Sequence, residues 1–249
     1  MPAVFVHGNP ETSAIWDLII PALDRRDVIT LSPPGFGSVP PKDFVGTRLD
    51  YVDWLVAELE AIGEPVDLVG HDWGGGHVAG LALTRPDLLR SWATDVAGIF
   101  HADYQWHDMA LEWQKPGVGE AMVAGMIDAP AADRIAMLVG GGITTDIATK
   151  VAASFNQDMA RCILALYRDA AQPVLSDLGA DVSVMRQRPG LVIIAENDAY
   201  VGTDTMHREI AARAGAEVSV LKGVGHWWMV QDPSAGAAML NQFWASVKN

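Results

Sequence analysis

Asp72 lies in the string Val69-Gly70-His71-Asp72-Trp73-Gly74-Gly75, between a run that reads as a strand and one that reads as a helix. The form is Gly-x-nucleophile-x-Gly: a reactive side chain on a sharp strand-to-helix turn, flanked by glycines because strand and helix crowd there. An aspartate that merely capped a helix would not require glycine on both sides. A serine suits attack on an acyl carbon. A carboxylate suits displacement at a saturated carbon, because the ester it forms can be hydrolysed afterwards. That second step needs a base and an acid to hold it. His226, in Val224-Gly-His-Trp-Trp-Met229, is the expected base, and Asp198, at the end of Ala195-Glu-Asn-Asp198, the expected acid. Asp95 is the alternative acid. His7-Gly8-Asn9-Pro10 follows the first strand-like run, so the backbone N–H groups of Asn9 and Trp73 are candidate oxyanion donors. Pro10 has no N–H to offer.

The elements that must position these residues alternate. Strands are expected at 3–7, 27–31, 66–70, 91–97, 191–195 and 217–221, as continuously apolar runs. Helices are expected at 47–62, ended by Gly63 and Pro65, at 74–84, and at 234–247, with Thr12 or Ser13 capping a helix after the first strand. Apolar strands alternating with helices imply an α/β fold with a parallel sheet covered on both faces. Between about 101 and 186 the alternation stops. That segment is helical and rich in Met, Trp and Ala, and reads as a helical cap inserted into a core made of 1–100 and 187–249. Met and Trp line adaptable apolar pockets, although ordinary packing uses them too.

Composition narrows the partners. The chain has 249 residues, half of them apolar, and a formal net charge of −14. Such a surface repels phosphate backbones and anionic headgroups, so neither nucleic acid nor membrane is an expected partner. A small neutral or apolar substrate fits best, and the oligomeric state is not readable. The one cysteine, Cys162, lies in a helical apolar pattern and reads as a packed thiol. No signal peptide or membrane span is visible, and the expected location is cytoplasmic. The seven histidines lack ligand spacing and no nucleotide fingerprint appears, so neither a metal nor another cofactor is expected.

Five motifs together resemble the epoxide hydrolase and haloalkane dehalogenase branch of the α/β-hydrolase superfamily: His7-Gly-Asn-Pro10, Pro34-Gly-Phe-Gly37, Gly70-His-Asp-Trp-Gly-Gly75, Arg85-Pro-Asp87 and Gly225-His-Trp227. The resemblance covers essentially the whole chain. It implies the α/β-hydrolase fold, a mostly parallel sheet flanked by helices, and an alkyl ester on Asp72 that water activated by His226 then hydrolyses. It also implies two leaving groups. Epoxide hydrolases protonate the departing oxygen with cap tyrosines, and Tyr167, in Leu164-Ala-Leu-Tyr-Arg168, resembles one of them. The place of the other holds Glu112 and Trp113, and Tyr104 is out of register. Dehalogenases hold the halide with N–H groups, and Trp73 with Asn9 resembles such a pair; Trp113 is a further candidate in the substrate pocket. Epoxide hydrolysis is the first expectation, and haloalkane dehalogenation the alternative. Another hydrolase of the fold, or a ligand-binding member without activity, completes the set. No arginine follows Asp72, so the carboxylate clamp of haloacetate dehalogenases is not matched.

Overall fold

The computed structural model describes residues 1–248. Six strands form one sheet: β1 (Ala3–Val6), β2 (Val28–Leu31), β3 (Val66–Gly70), β4 (Leu89–Thr94), β5 (Gly190–Ala195) and β6 (Glu217–Leu221). Their order is β2-β1-β3-β4-β5-β6, and every pairing is parallel. β1, β3 and β5 are buried along their whole length, as apolar runs covered on both faces should be. The chain leaves β1 toward one edge of the sheet and returns to pair β3 on its other side. A crevice therefore opens at the C-terminal ends of β1 and β3, where ligands bind in open α/β sheets. His7-Gly8-Asn9 and Asp72 follow those two strands.

Helices α1 (Arg48–Ile62) and α2 (Trp73–Thr84) connect the first strands, while α9 (Asp204–Ala214), α10 (Trp228–Gln231) and α11 (Pro233–Ser246) surround β6 in the chain. Thr47 caps α1 by accepting from Asp50 N–H, whose side chain returns the bond, and Gly63 ends the helix at φ 79°. Between β4 and β5 come α3 (Asp108–Gln114), α4 (Val118–Asp128), α5 (Ala131–Gly140), α6 (Thr145–Ala152), α7 (Gln157–Asp169) and α8 (Val174–Ala180), with no strand among the described residues.

Two elements differ from the sequence expectation. β4 ends at Thr94, three residues early, and the chain turns into a short 3-10 helix over Ala97–Phe100. Asp95 and its neighbours thereby leave the sheet at its C-terminal edge. The helix after β1 is two short 3-10 turns, Ser13–Trp16, capped by Thr12, and Ile20–Ala22. The last helix, Pro233–Ser246, lies within one residue of its expected span; Asp232 caps it by accepting from Ala235 N–H, and Pro233 takes the first position, where no N–H is needed.

Candidate active site

β3 ends at Gly70 and α2 begins at Trp73, so the chain reverses within His71 and Asp72. Asp72 has φ 50° and ψ −129° and is the only non-glycine residue with positive φ among the described residues. Such backbone strain costs about 1–3 kcal/mol and persists only where the surroundings impose it. The surroundings here are glycines at contact distance. A Cβ on Gly74 would lie 2.1 Å from Val6 O, one on Gly70 2.5 Å from Gly74 O, and one on Gly8 2.0 Å from Asp72 Oδ1.

The carboxylate of Asp72 faces two groups. Oδ1 accepts a hydrogen bond from Asn9 N–H at 2.9 Å, and Oδ2 lies 3.6 Å from His226 Nε2. On the other side of the imidazole, His226 Nδ1 lies 2.7 Å from Asp198 Oδ2. Asp198 Oδ1 accepts from Tyr200 N–H at 2.8 Å, which fixes the carboxylate. Asp72, His226 and Asp198 thus come together from the ends of three different strands. The Trp73 amide begins α2, among the first-turn N–H groups that lack helical partners.

Asp95 has a different set of partners. Its Oδ2 lies 2.5 Å from His71 Nδ1 and accepts from Trp228 Nε1 at 2.7 Å, and its Oδ1 accepts from Asp72 N–H at 3.1 Å. His71 Nε2 reaches Glu11 Oε1 at 3.1 Å, and Glu11 also accepts from Gly8 N–H and from the Trp227 indole. A buried carboxylate–imidazole–carboxylate row, Glu11–His71–Asp95, therefore runs beneath the elbow. The His71 and His226 rings pack against each other in a tilted arrangement, with centroids 4.6 Å apart and planes at 51°. Glu11, His71 and His226 offer donor atoms within 4.8 Å of one another. Both His71 nitrogens are already engaged by carboxylates, which makes this donor set a poor metal site.

Burial and charge set the protonation of these groups. Burial pushes the Asp72 carboxyl up to about 6, against the pull of His226. Burial would lower His226, but the Asp198 carboxylate on Nδ1 more than reverses this and raises it. Burial opposes ionisation of Asp198 too, and the His226 contact overcomes it and lowers its pKa. His71 lies well above the ordinary histidine value: burial works downward, and Asp95 and Glu11 outweigh it. Glu11 is lowered to about 2, the nearby His71 charge outweighing its burial. Asp72 and His226 therefore sit above a fixed imidazolium.

A cavity of about 20 Å³ lies over Asp72, room for about one water. Trp73, Val96, Ile99, Tyr104, Trp106, His107, Tyr167, Tyr200 and Val201 complete its walls. The helical segment thus supplies Tyr104, Trp106, His107 and Tyr167. Burial, and next the Asp72 charge, hold the Tyr167 hydroxyl well above the usual tyrosine range, so it stays protonated. Outside lies a groove of about 670 Å³ that shares Tyr104, His107, Tyr200 and Val201 with this cavity as a common wall.

Trp113 departs from the sequence expectation: it does not line the cavity. Its ring meets the edge of Tyr167 at 4.8 Å, so it packs behind that residue. Trp106, stacked on Trp73 at 5.8 Å, forms the wall instead. Asn9 does reach Asp72 by its backbone, while its side-chain Oδ1 and Nδ2 are buried without partners among the described residues. Glu11, Asp95, His107 and Tyr200 were not foreseen in these places. The signals available were a glutamate one residue past Pro10 and a tyrosine two residues past Asp198.

The profile of the family described as "Alpha/beta hydrolase family" matches residues 3–239. A 2-hydroxymuconate semialdehyde hydrolase of Pseudomonas sp. is 27% identical over 98% of this chain and 87% of its own length. A haloalkane dehalogenase of Bradyrhizobium diazoefficiens is 33% identical over 48% of this chain and 44% of its own. An epoxide hydrolase of Caballeronia sordidicola is 35% identical over 36% and 29%. Among solved structures, haloalkane dehalogenase DbeA from Bradyrhizobium elkani superposes with a TM-score of 0.77 at 23% identity, over 99% of this chain and 90% of that one.

Proposed function

The chain belongs to the alpha/beta hydrolase family, and within it we propose a hydrolase that opens epoxides to vicinal diols through an ester on Asp72. The observation that carries this reading is the pairing of a strained, buried carboxylate with a protonated tyrosine in one small cavity. Asp72 Oδ attacks a ring carbon in line. The carbon–oxygen bond breaks, and the departing oxygen takes a proton from Tyr167, leaving a tyrosinate. Water then adds to the Asp72 ester carbonyl and gives its proton to His226, which Asp198 orients. The Asn9 and Trp73 amides stabilise the oxyanion. Collapse releases the second alkoxide, which takes the proton from His226, and the Asp72 carboxyl proton returns to Tyr167 through solvent.

The walls favour a small, neutral, apolar substrate. Val96, Ile99, Trp73 and Trp106 supply dispersion contacts, and no arginine or lysine lines the cavity among the described residues. At about 20 Å³ the cavity must widen to admit any substrate, and the wall it shares with the outer groove is where it can do so.

A second reading, haloalkane dehalogenation, is favoured by one specific observation: the buried, unpartnered Nδ2 of Asn9 next to the nucleophile. An unpaired buried amide costs free energy that a bound halide would recover. One assay separates the readings. Styrene oxide, a terminal alkyl epoxide and a 1-bromoalkane are supplied in parallel, and diol and bromide are measured separately. Diol from an epoxide with no bromide release is expected. Bromide release without diol would replace the proposal by its alternative, and neither product would remove both.

A further inference from the structure

An opening epoxide places negative charge on an oxygen with more than one lone pair, and Tyr167 can satisfy only one of them. The wall of the Asp72 cavity holds other polar side chains. The Tyr104 hydroxyl is engaged, donating to Tyr200 O at 2.8 Å. His107 is different. It is the N-cap of α3, and its Nδ1 accepts from Ala110 N–H at 3.3 Å. An accepting Nδ1 carries no proton, so the neutral ring must carry it on Nε2. The ring lies edge-to-face with Tyr167 at 6.4 Å and with Tyr200 at 5.2 Å, and it borders both the inner cavity and the outer groove. With Nδ1 tied to the helix backbone, Nε2–H has no partner among the described residues.

From this geometry we propose that His107 is a second catalytic donor: its Nε2–H hydrogen-bonds the departing oxygen while Tyr167 supplies the proton. His107 keeps its own proton throughout, so the balance of the reaction is unchanged. The helix cap fixes the tautomer in advance, which is what preorganised stabilisation of a developing charge requires. The surroundings keep the ring neutral. Burial and the charge of His226 lower His107 to about 4, opposed by Asp198 and by Asp108 of its own helix. This assignment rests on the epoxide-opening reading of Asp72.

Two substitutions separate donor from cap. His107→Asn keeps a good N-cap acceptor but withdraws the donor from the cavity. His107→Gln keeps an N–H donor near the position of Nε2 but weakens the cap. The readouts are kcat/KM for styrene oxide, which reports ester formation, and the decay rate of preformed ester. His107→Asn should lower kcat/KM by about 100-fold, the usual scale for one lost donor to a developing oxyanion, and leave ester decay within about threefold. His107→Gln should stay within about tenfold of the parent. Parent-like rates in His107→Asn, equal losses in both variants, or a loss confined to ester decay would each overturn the assignment. If the unmodified protein forms no diol from any epoxide, it is the function reading itself that fails.

Discussion

Replacing His226 by glutamine should convert the protein from a catalyst into a stoichiometric acceptor of its substrate. His226 Nε2 stands 3.6 Å from Asp72 Oδ2, beyond hydrogen-bond range, and the attack of a carboxylate on saturated carbon requires no base. Ester hydrolysis does require one, and loss of a positioned base slows such a step by about 10²–10⁴. Alkylation suffers far less, through charge alone. Burial raises Asp72 to about 6, and the His226 charge is what restrains it. Without that charge the limb moves upward, toward neutral pH. The sign follows: a carboxylate with a raised pKa loses its nucleophilic form as pH falls. For the parent protein at pH 5, one unit below, about one-tenth of Asp72 is ionised, and alkylation runs about tenfold below its plateau. For His226→Gln the same fall should begin at higher pH, and at pH 9 alkylation should be near the parent rate. Intact-protein mass spectrometry after mixing at pH 9 should show one adduct per chain, and digestion should place it on the peptide containing Asp72. The added mass also reports the leaving group, because an epoxide adds its whole mass and a haloalkane only its alkyl group. A substrate that the parent turns over but that leaves no adduct on the variant, or an adduct elsewhere, would refute the two-step reasoning.

Two further expectations concern the platform. Gly74→Ala should destabilise the fold by about 3 kcal/mol or more, because the new Cβ meets backbone 2.1 Å away, whereas Gly125→Ala in α4, with open space around it, should stabilise by about 0.5–1 kcal/mol; denaturant midpoints of the two variants test the contrast. His71→Leu leaves Glu11 and Asp95 buried without their cation, which should cost about 3–5 kcal/mol and lower the melting temperature by roughly 6–20 °C. The deficit should be smaller at pH 5 than at pH 8. Glu11, fully buried and without its cation, favours the protonated form, so the variant weakens as pH rises above the unfolded carboxylate value; a parallel deficit at both pH values would contradict it. The parent's own His71 contribution is complete below the unfolded histidine value and falls as pH rises from there toward the raised folded pKa, so the contrast builds mainly between pH 5 and that unfolded value, where the parent is still at full stability and the variant is already losing it.

The strands were legible because a parallel sheet buried on both faces demands unbroken apolar runs, and all six lie where those runs lie. Asp72 was legible because glycines at 70 and 74 answer to contacts of 2.5 Å or less that any side chain would violate. The partner of His226 was expected at Asp198, with Asp95 as the alternative because both follow strands, and it is Asp198 that lies against His226 Nδ1 while Asp95 lies against His71. The segment between β4 and β5 was least readable. A helical segment crowded with Met and Trp offers several apolar faces, and Trp113 and Trp106 are indistinguishable by type; their packing around Tyr167 separates them. His107 looks like an ordinary helix cap in the sequence, and its second face appears only once the β4–β5 segment folds over Asp72.

On the proposed two-step reading, the buried charges bear on how one histidine can serve a cycle whose first step has no use for it. In the free protein the Asp72 carboxylate is among the groups that raise His226, while the His71 charge, its ring centroid 4.6 Å away, lowers it. Alkylation turns Asp72 into a neutral ester. One of the influences holding the proton on His226 then disappears, and the opposing one from His71 remains, because Glu11 and Asp95 keep that imidazolium charged. His226 must therefore become a weaker holder of its proton at the moment the ester forms, releasing the neutral imidazole that water activation requires. On this reasoning the Glu11–His71–Asp95 row is more than support for the elbow. Removing its charge would leave His226 protonated further into the cycle and would slow ester hydrolysis in preference to ester formation.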